Sequence, residues 1–345
     1  MLLQVLCVQT FSLSWWARPR RLRMAEVTVL MSVYNGMPYL PEAVGSILNQ
    51  TLQDYKLLII NDGSTDGTED YLNRLTDHRV QVVHQSNHGQ GAGLNRGIAM
   101  CETEFLARMD SDDFSLPFRL EVQLNYLLAH KDVGLVGTQI AYFAAGGHSG
   151  FSPPLALEHE AIYADLLRDV HSMNHPSIMC RTSVIKGIGG YRVDRVGQDW
   201  DMFLRMGEAS RLANVNNVLH LYRIHAGSVN ARHQLKIKTQ HAYACHCAKR
   251  RAQGQPEITF EEFVVEQRAR PFSQRLAEVL DVYAFSQYRR ALGEILSQHW
   301  VRGYARLTWA ALCYPRRTSQ RIARAIRKVR KRLLPAELVN TLPGT

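Results

Sequence analysis

Three apolar runs mark the first third of the chain. They occupy residues 27–33, 57–60 and 105–109, and each stops abruptly at polar or turn-forming residues. Short, continuously apolar runs of this kind predict buried strands. Between the first two, Pro41–Gln50 has helical spacing with a proline at its start, which predicts a helix. Apolar strands that alternate with helices predict an α/β fold, with a Rossmann-like, mostly parallel sheet covered by helices on both faces.

Polar side chains follow each predicted strand. Tyr34 and Asn35 come after the first, Asp62 and Asp66 after the second, and Asp110–Asp113 after the third. Ligands of parallel sheets bind outside the carboxyl ends of the strands, so one crevice can collect all of these residues. The acidic residues after the second strand also suit a turn held by its own side chains, which is an alternative that needs no ligand.

Asp110, Asp112 and Asp113 place three carboxylates within four positions. Like charges this close raise one another's pKa, so folding holds them together at reasonable cost only if a cation or several donors share the site. Mg²⁺ or Mn²⁺ fits and is usually completed by substrate phosphates, which indicates a phosphate-bearing substrate. The alternative is a cap and first turn for a helix over 118–130. The cluster alone does not separate the two.

Three segments together resemble the family 2 glycosyltransferases, which have the GT-A fold. The segments are Val27–Gly36, Ile59–Thr68 and Ala107–Asp113, and they occur in the family's order and spacing. The resemblance extends from Glu26 to about Asn230. It implies an enzyme that transfers a sugar from a nucleotide sugar with the help of Mn²⁺ or Mg²⁺.

The same resemblance implies roles for individual carboxylates. Asp112 is expected to bind the metal, Asp110 to face the ribose or the metal, and Asp113 to support both. Asp199 corresponds to the catalytic base, which implies inversion at the anomeric carbon, while Gln198 stands where the family usually has Glu. The alternative for Asp199 is a charge at a helix N-terminus.

The other implied roles concern the donor. Asp62 resembles the residue that hydrogen-bonds the nucleobase, and Tyr34 and Asn35 lie where the first strand meets the nucleoside. His225 belongs to the closing segment Leu221–Asn230, in which a histidine approaches the metal or the diphosphate. The alternative for His225 is a loop histidine bonded to the backbone.

Two further motifs do not carry a function. Gly89-Gln-Gly-Ala-Gly93 has the start of a dinucleotide-binding fingerprint, but Leu94 stands where the third glycine is needed. A turn that leads into a helix over 92–100 is expected instead. The histidines and cysteines between His241 and Cys247 lack a second Cys-x-x-Cys half, so satisfied helix side chains are expected and not a zinc site.

The net charge of +10 is concentrated at the chain ends. Residues 1–23 and 316–345 hold 13 of the 41 basic residues and one of the 31 acidic ones. In the second segment an apolar stripe runs between basic faces, which predicts an amphipathic helix for an anionic membrane surface; the alternative is packing on the body. The stripe consists of Ile322, Ile326, Val329 and Leu333. Nucleic acid is not expected as a partner, because no aromatic platform accompanies the charge.

These patterns predict four parts of the chain. Residues 1–23 are expected to be a disordered leader or to lie upstream of the true start, 24–230 to form the GT-A domain, 231–315 a helical region and 316–345 the basic amphipathic tail. Six cysteines without a regular framework indicate reduced thiols and a cytosolic location. Together with the basic tail, this predicts a protein that is peripheral on the cytosolic face of the membrane.

The predicted function is an inverting, metal-dependent glycosyltransferase that moves a sugar from a UDP-sugar to a hydroxyl of a glycan or lipid-linked acceptor, in surface-polysaccharide or glycoconjugate synthesis. Two alternatives remain open at this point. One is transfer to a polyprenyl phosphate, and the other is a nucleotide-sugar-binding protein without turnover.

Overall fold

The computed structural model describes residues 26–143, 149–193, 197–224, 234–296 and 299–313. Over these ranges the chain forms one sheet, whose strands are β1 Val27–Val33, β2 Tyr55–Asp62, β3 Val80–Gln85, β4 Phe105–Met109, β5 Phe114–Ser115, β6 Val133–Phe143, β7 Ser149–Phe151, β8 Met179–Arg181 and β9 Arg211–Arg223. The strand order is β3-β2-β1-β4-β8-β6-β9-β5, and β7 pairs with β6.

Helices cover both faces of this sheet and continue beyond it. They are α1 Leu40–Leu48, α2 Thr68–Asn73, α3 Gln90–Met100, α4 Arg119–Ala129, α5 His159–Leu167, α6 Thr182–Gly187, α7 Gln198–Ala209, α8 Gln234–Ala252, α9 Phe260–Arg268, α10 Phe272–Leu296 and α11 Trp300–Cys313. The predicted α/β architecture with a helical C-terminal region is confirmed.

The four strands that open the chain are parallel, as their apolar sequences predict. β1 pairs in parallel with β2 and β4, and β2 with β3. All seven residues of β1 are buried. The second half of the sheet is mixed, because β8 runs antiparallel to β4 and β6 while β9 is parallel to β6. The carboxyl ends of β1, β2 and β4 therefore share one edge.

The core lies in two layers, one on each face of the sheet. One layer packs β1, β2 and β4 against α1 and α4, with Val44, Ile47 and Leu120 among its buried members. The other packs the opposite face against α3, α5 and α7, with Ile98 and Phe203 among its members. Burial on both faces explains why the strands are apolar without alternation.

The glycines of α3 serve packing rather than a dinucleotide. A Cβ on Gly97 would overlap the Leu30 side chain, and one on Gly93 would meet Ser32, so both let the helix approach β1 closely. The helix begins at Gln90, two residues before the predicted start at Ala92.

The helical C-terminal region joins the domain through α8. Its Ala244, Cys245 and Ala248 belong to the core layer that contains α7. His241 stacks on Trp200 with 4.2 Å between ring centroids and shares a 3.2 Å hydrogen bond with Asp169. These contacts attach α8 to α7 and to the end of α5.

Within the described residues, no helix has both the length and the apolar content needed to cross a bilayer. The predicted leader 1–23 and the basic tail 316–345 lie outside the described residues. The domain boundaries proposed from the sequence stay predictions.

Candidate active site

Hydrogen bonds join the loops that follow β1 and β2 into one wall of the crevice. The Asn35 Oδ1 accepts from the Thr65 backbone N–H at 2.7 Å, and the Asn35 N–H donates to the Ser64 Oγ at 2.9 Å. The Met37 N–H donates to the Asp66 Oδ2 at 3.0 Å. Asn35 and Asp66 thus fix the shape of this wall. For Asp66 this matches the alternative interpretation, in which the acidic residue holds a turn and needs no ligand.

Tyr34 stands at the carboxyl end of β1 with its side chain exposed. Asn35 follows with a φ of +52°, a left-handed conformation that asparagine tolerates better than most residues. The turn therefore leaves the Tyr34 ring accessible for stacking, and its predicted contact with the nucleoside stays a prediction.

Asp62 is buried at the end of β2 and holds the turn that precedes α3. Its Oδ1 accepts from the His88 N–H at 3.0 Å and from the Gln85 amide at 2.6 Å, and its Oδ2 accepts from the Gly89 N–H at 2.8 Å. Both carboxylate oxygens are therefore already engaged. This architectural role was missed by the sequence analysis, and the predicted bond to a nucleobase remains a prediction.

The carboxylates of Asp110, Asp112 and Asp113 converge at the end of β4. Each offers one oxygen, and these three atoms lie within 4.8 Å of one another. Burial raises the pKa of Asp110 above its usual value, and the charges of Asp112 and Asp199 add to the rise. A hard cation would relieve this repulsion and is suited by oxygen ligands, so the donor set fits Mg²⁺ or Mn²⁺.

Arg108 adds a buried positive charge beside this cluster. Its Nη2 donates to the Asp110 Oδ1 at 2.5 Å, while its Nε and Nη1 have no hydrogen-bond partner among the described residues. Sequence analysis missed Arg108, although a charged residue within the otherwise apolar run of β4 was the available signal. Arg108 turns one oxygen of Asp110 toward itself and fixes the orientation of that carboxylate.

Asp113 is buried and faces β9. Its Oδ2 is 2.8 Å from the Nε2 of the buried His220, and its Oδ1 accepts from the Arg223 N–H at 2.8 Å. Burial lowers the pKa of His220 well below its usual value and raises the pKa of Asp113 well above its own. The arrangement suits the supporting role predicted for Asp113.

Arg223 holds the backbone of the cluster in place. Its Nε donates to the Asp112 carbonyl oxygen at 2.6 Å, and its guanidinium lies 4.2 Å from the centre of the Phe143 ring. Neither His220 nor Arg223 was found from the sequence, because both lie on β9, more than one hundred residues from the cluster.

Asp199 and Asp201 share the first turn of α7 but have different surroundings. Asp201 is buried, and its carboxylate lies 2.8 Å from Arg205 and 3.4 Å from Arg192. Asp199 is only half-buried, and its charge acts on Asp110. Asp201 thus serves helix packing, and the assignment of Asp199 as the catalytic base stays a prediction.

His175 and Tyr191 form a buried pair close to these carboxylates. The His175 Nε2 lies 2.7 Å from the Tyr191 hydroxyl. Burial raises the pKa of Tyr191, and the charges of Asp199 and Asp110 add to the rise while Arg108 opposes it. Tyr191 therefore lies within electrostatic reach of both carboxylates. His225, by contrast, falls outside the described residues.

Arg119 anchors the backbone just before the acidic cluster. Its fully buried guanidinium donates to the Arg108 carbonyl at 2.5 Å, to the Ile178 carbonyl at 3.2 Å and to the Gln123 Oε1 at 3.1 Å. Burial lowers the pKa of Arg119 to about 9, so the side chain is still charged at neutral pH.

Replacing Arg119 with methionine should lower the free energy of unfolding by about 3 kcal/mol or more, because buried carbonyls lose their donor. Urea denaturation measures the change. Arg168→Met is the matched control; its side chain is 68% exposed, so a change below about 1 kcal/mol is expected. Equal stabilities of the two variants would contradict the anchoring role of Arg119.

Comparison with known proteins identifies the family of this chain. The profile of the family "Glycosyl transferase family 2" matches residues 28–189. The Escherichia coli "O-antigen biosynthesis glycosyltransferase WbnJ" is 33% identical over 205 residues, which cover 58% of this chain and 80% of WbnJ. The Bacillus subtilis "Putative glycosyltransferase EpsE" is 31% identical over 206 residues, which cover 57% of this chain and 73% of EpsE.

Among solved structures, S. aureus TarS 1–349 in complex with UDP-GlcNAc superposes with a TM-score of 0.54 at 12% identity and covers 84% of this chain and 92% of TarS 1–349. This likeness supports the GT-A-like fold. The fold and the sequence matches define the protein as a glycosyltransferase. The chain belongs to glycosyl transferase family 2, and the resemblance seen in the sequence is confirmed.

Proposed function

We propose that this glycosyltransferase is metal-dependent and inverting, and that it moves a sugar from a nucleoside diphosphate sugar to an acceptor hydroxyl. The observation that carries the proposal is the convergence of Asp110, Asp112 and Asp113 at the strand edge, with the charge of Asp199 close enough to act on Asp110. These are the two chemical parts that the reaction needs, a diphosphate anchor and a proton acceptor.

The diphosphate anchor is a divalent cation, Mn²⁺ or Mg²⁺, held by Asp112 and Asp110. When bound, the cation neutralises the negative charge that grows on the departing diphosphate. Asp112 is held by Arg223 through its carbonyl oxygen, and Asp110 by Arg108 through one carboxylate oxygen. The backbone at Asp112 and the carboxylate of Asp110 are therefore held before the donor arrives, which lowers the cost of organising the site.

Asp199 is the proposed general base. The acceptor oxygen forms its bond to the anomeric carbon while its proton passes to the Asp199 carboxylate, and the bond from that carbon to the diphosphate oxygen breaks with its electron pair. Because attack occurs opposite the leaving group, the anomeric configuration is inverted. Asp201 is unsuited to this role, because its carboxylate is buried against Arg205.

The proposed donor pocket lies beyond the carboxyl ends of β1 and β2. Tyr34 is exposed for stacking on the nucleoside, while Asn35 and Asp62 shape the surrounding loops. A UDP-sugar is the proposed donor, and TarS, with a similar fold, has been crystallised with UDP-GlcNAc.

The proposed acceptor is a glycan or lipid-linked glycan of surface-polysaccharide synthesis. Similarity to WbnJ, whose name assigns it to O-antigen biosynthesis, supports this choice. The five cysteines that the structure describes are free, which fits the proposed location in the reducing cytosol at the inner face of a membrane.

A screen of nucleotide sugars tests the proposal. We expect one UDP-sugar to be hydrolysed slowly in the presence of Mn²⁺ and to raise the melting temperature, and EDTA to abolish the hydrolysis. Free UDP and the GDP-sugar that carries the same sugar serve as the comparison ligands. Hydrolysis that is unaffected by EDTA would exclude the metal, and a response to GDP-sugars alone would exclude the UDP-sugar.

A further inference from the structure

The last two described helices form an antiparallel hairpin. A Cβ on Gly303 of α11 would lie 2.5 Å from the Ile295 side chain of α10, so the glycine permits close contact between the helices. Arg306 donates to the Gln287 Oε1 at 3.0 Å, and the Trp309 indole N–H donates to the Tyr283 hydroxyl at 3.2 Å.

One side of this hairpin is apolar and exposed. Phe272, Leu276, Val279 and Tyr283 follow one another at helical spacing, and they are 72%, 43%, 49% and 43% exposed. Trp309 is 53% exposed and joins them through its bond to Tyr283. We call these five residues the hairpin stripe. All ten residues from 271 to 280 are exposed, so this end of α10 has little packing of its own.

The charges around the hairpin stripe are predominantly basic. Arg290 lies about five full helical turns after Phe272, and Arg302 about two turns before Trp309, so each points to the same side as the stripe and is exposed. The nearby acids are paired, because Glu278 accepts from Arg270 at 3.0 Å and Asp281 from Lys238 at 3.3 Å.

We propose that the hairpin stripe lies on an anionic lipid surface. Tryptophan and tyrosine favour the interface between headgroups and acyl chains, and arginines beside them gain from negative headgroups. A two-fold contact with a second copy would bring the arginines of both copies together, which is unfavourable. The basic segment 316–345 directly follows this hairpin along the chain and adds positive charge.

This attachment surface rests on the proposed location at a membrane, but not on the proposed donor or mechanism. Its consequence for the reaction is that a lipid-linked acceptor and the enzyme share the same surface. A soluble acceptor would gain nothing from the stripe. Membrane attachment and chemistry can therefore be separated experimentally.

The test uses the full chain with vesicles of phosphatidylcholine, prepared with or without phosphatidylglycerol. The double variant Leu276→Glu and Val279→Glu places two negative charges in the stripe. We expect its partitioning onto the anionic vesicles to fall at least ~10-fold relative to the unmodified chain, because apolar contact is lost and headgroup repulsion is gained. The control is Leu128→Glu on α4, since Leu128 has the same 43% exposure as Leu276.

Three further measurements make the result decisive. The melting temperature and donor hydrolysis of the double variant should match those of the unmodified chain, because the changed side chains are exposed and lie outside the active site. If the unmodified chain does not bind anionic vesicles, or if the double variant binds them as well as the unmodified chain does, the proposal is overturned. It is also overturned if the variant unfolds or if sedimentation shows a dimer that the variant loses, since the stripe would then cover protein.

Discussion

Asp112→Asn should reduce sugar transfer on the order of 10³-fold, because the diphosphate loses its cation anchor as negative charge develops on it. Stabilisation of that charge by a metal lowers the activation free energy by several kcal/mol. Each tenfold change in rate corresponds to about 1.4 kcal/mol of activation free energy. Turnover at saturating donor, measured over a Mn²⁺ titration, tests the expectation. Excess Mn²⁺ should restore little activity.

Two companion variants sharpen this test. Asp54→Asn alters an exposed aspartate outside the cluster and should leave turnover unchanged. Asp110→Asn should act mainly on donor affinity, because one oxygen of Asp110 is already held by Arg108. Near-native activity of Asp112→Asn at ordinary Mn²⁺ concentrations would show that the metal assignment is wrong.

Asp199→Asn should leave nucleotide affinity nearly intact while transfer falls by ~10²–10⁴-fold, the usual scale for the loss of a general base. The asparagine keeps the shape of the side chain and removes its negative charge together with its capacity to accept a proton. Donor binding by calorimetry and transfer to a hydroxyl acceptor, measured on the same preparation, separate binding from chemistry.

The matched control lies two residues further on in the same helical turn. Asp201→Asn breaks a buried ion pair with Arg205 and should cost about 3–5 kcal/mol of folding stability. Asp199→Asn should melt like the unmodified protein. Normal transfer by Asp199→Asn to a hydroxyl would place the base elsewhere, whereas normal transfer only to a polyprenyl phosphate would support that alternative acceptor.

The sequence predicted the strand edge that carries the site, because both faces of the early strands are buried and their apolar runs stop at acidic residues. β4 has the predicted bounds, Phe105–Met109, for this reason. β5 is two residues long, too short for any periodic pattern, and was not predicted.

The surroundings of the carboxylates could not be predicted in the same way. His220 and Arg223 reach Asp113 from β9, and this contact depends on the order of strands in the sheet. The start of α3 differs from the prediction because Asp62, on another strand, binds the turn that precedes it. Local propensity carries no information about such distant partners.

The interlocked loops after β1 and β2 affect how donor preference can be exchanged between relatives. Residues 34–37 and 64–68 share five cross-loop hydrogen bonds in which Asn35, Gly36 and Met37 each take part. A chimaera that imports only one loop would leave the other with unmatched donors and acceptors. If these loops bind the donor as proposed, we expect donor preference to be exchanged only when both segments are transplanted from the same parent.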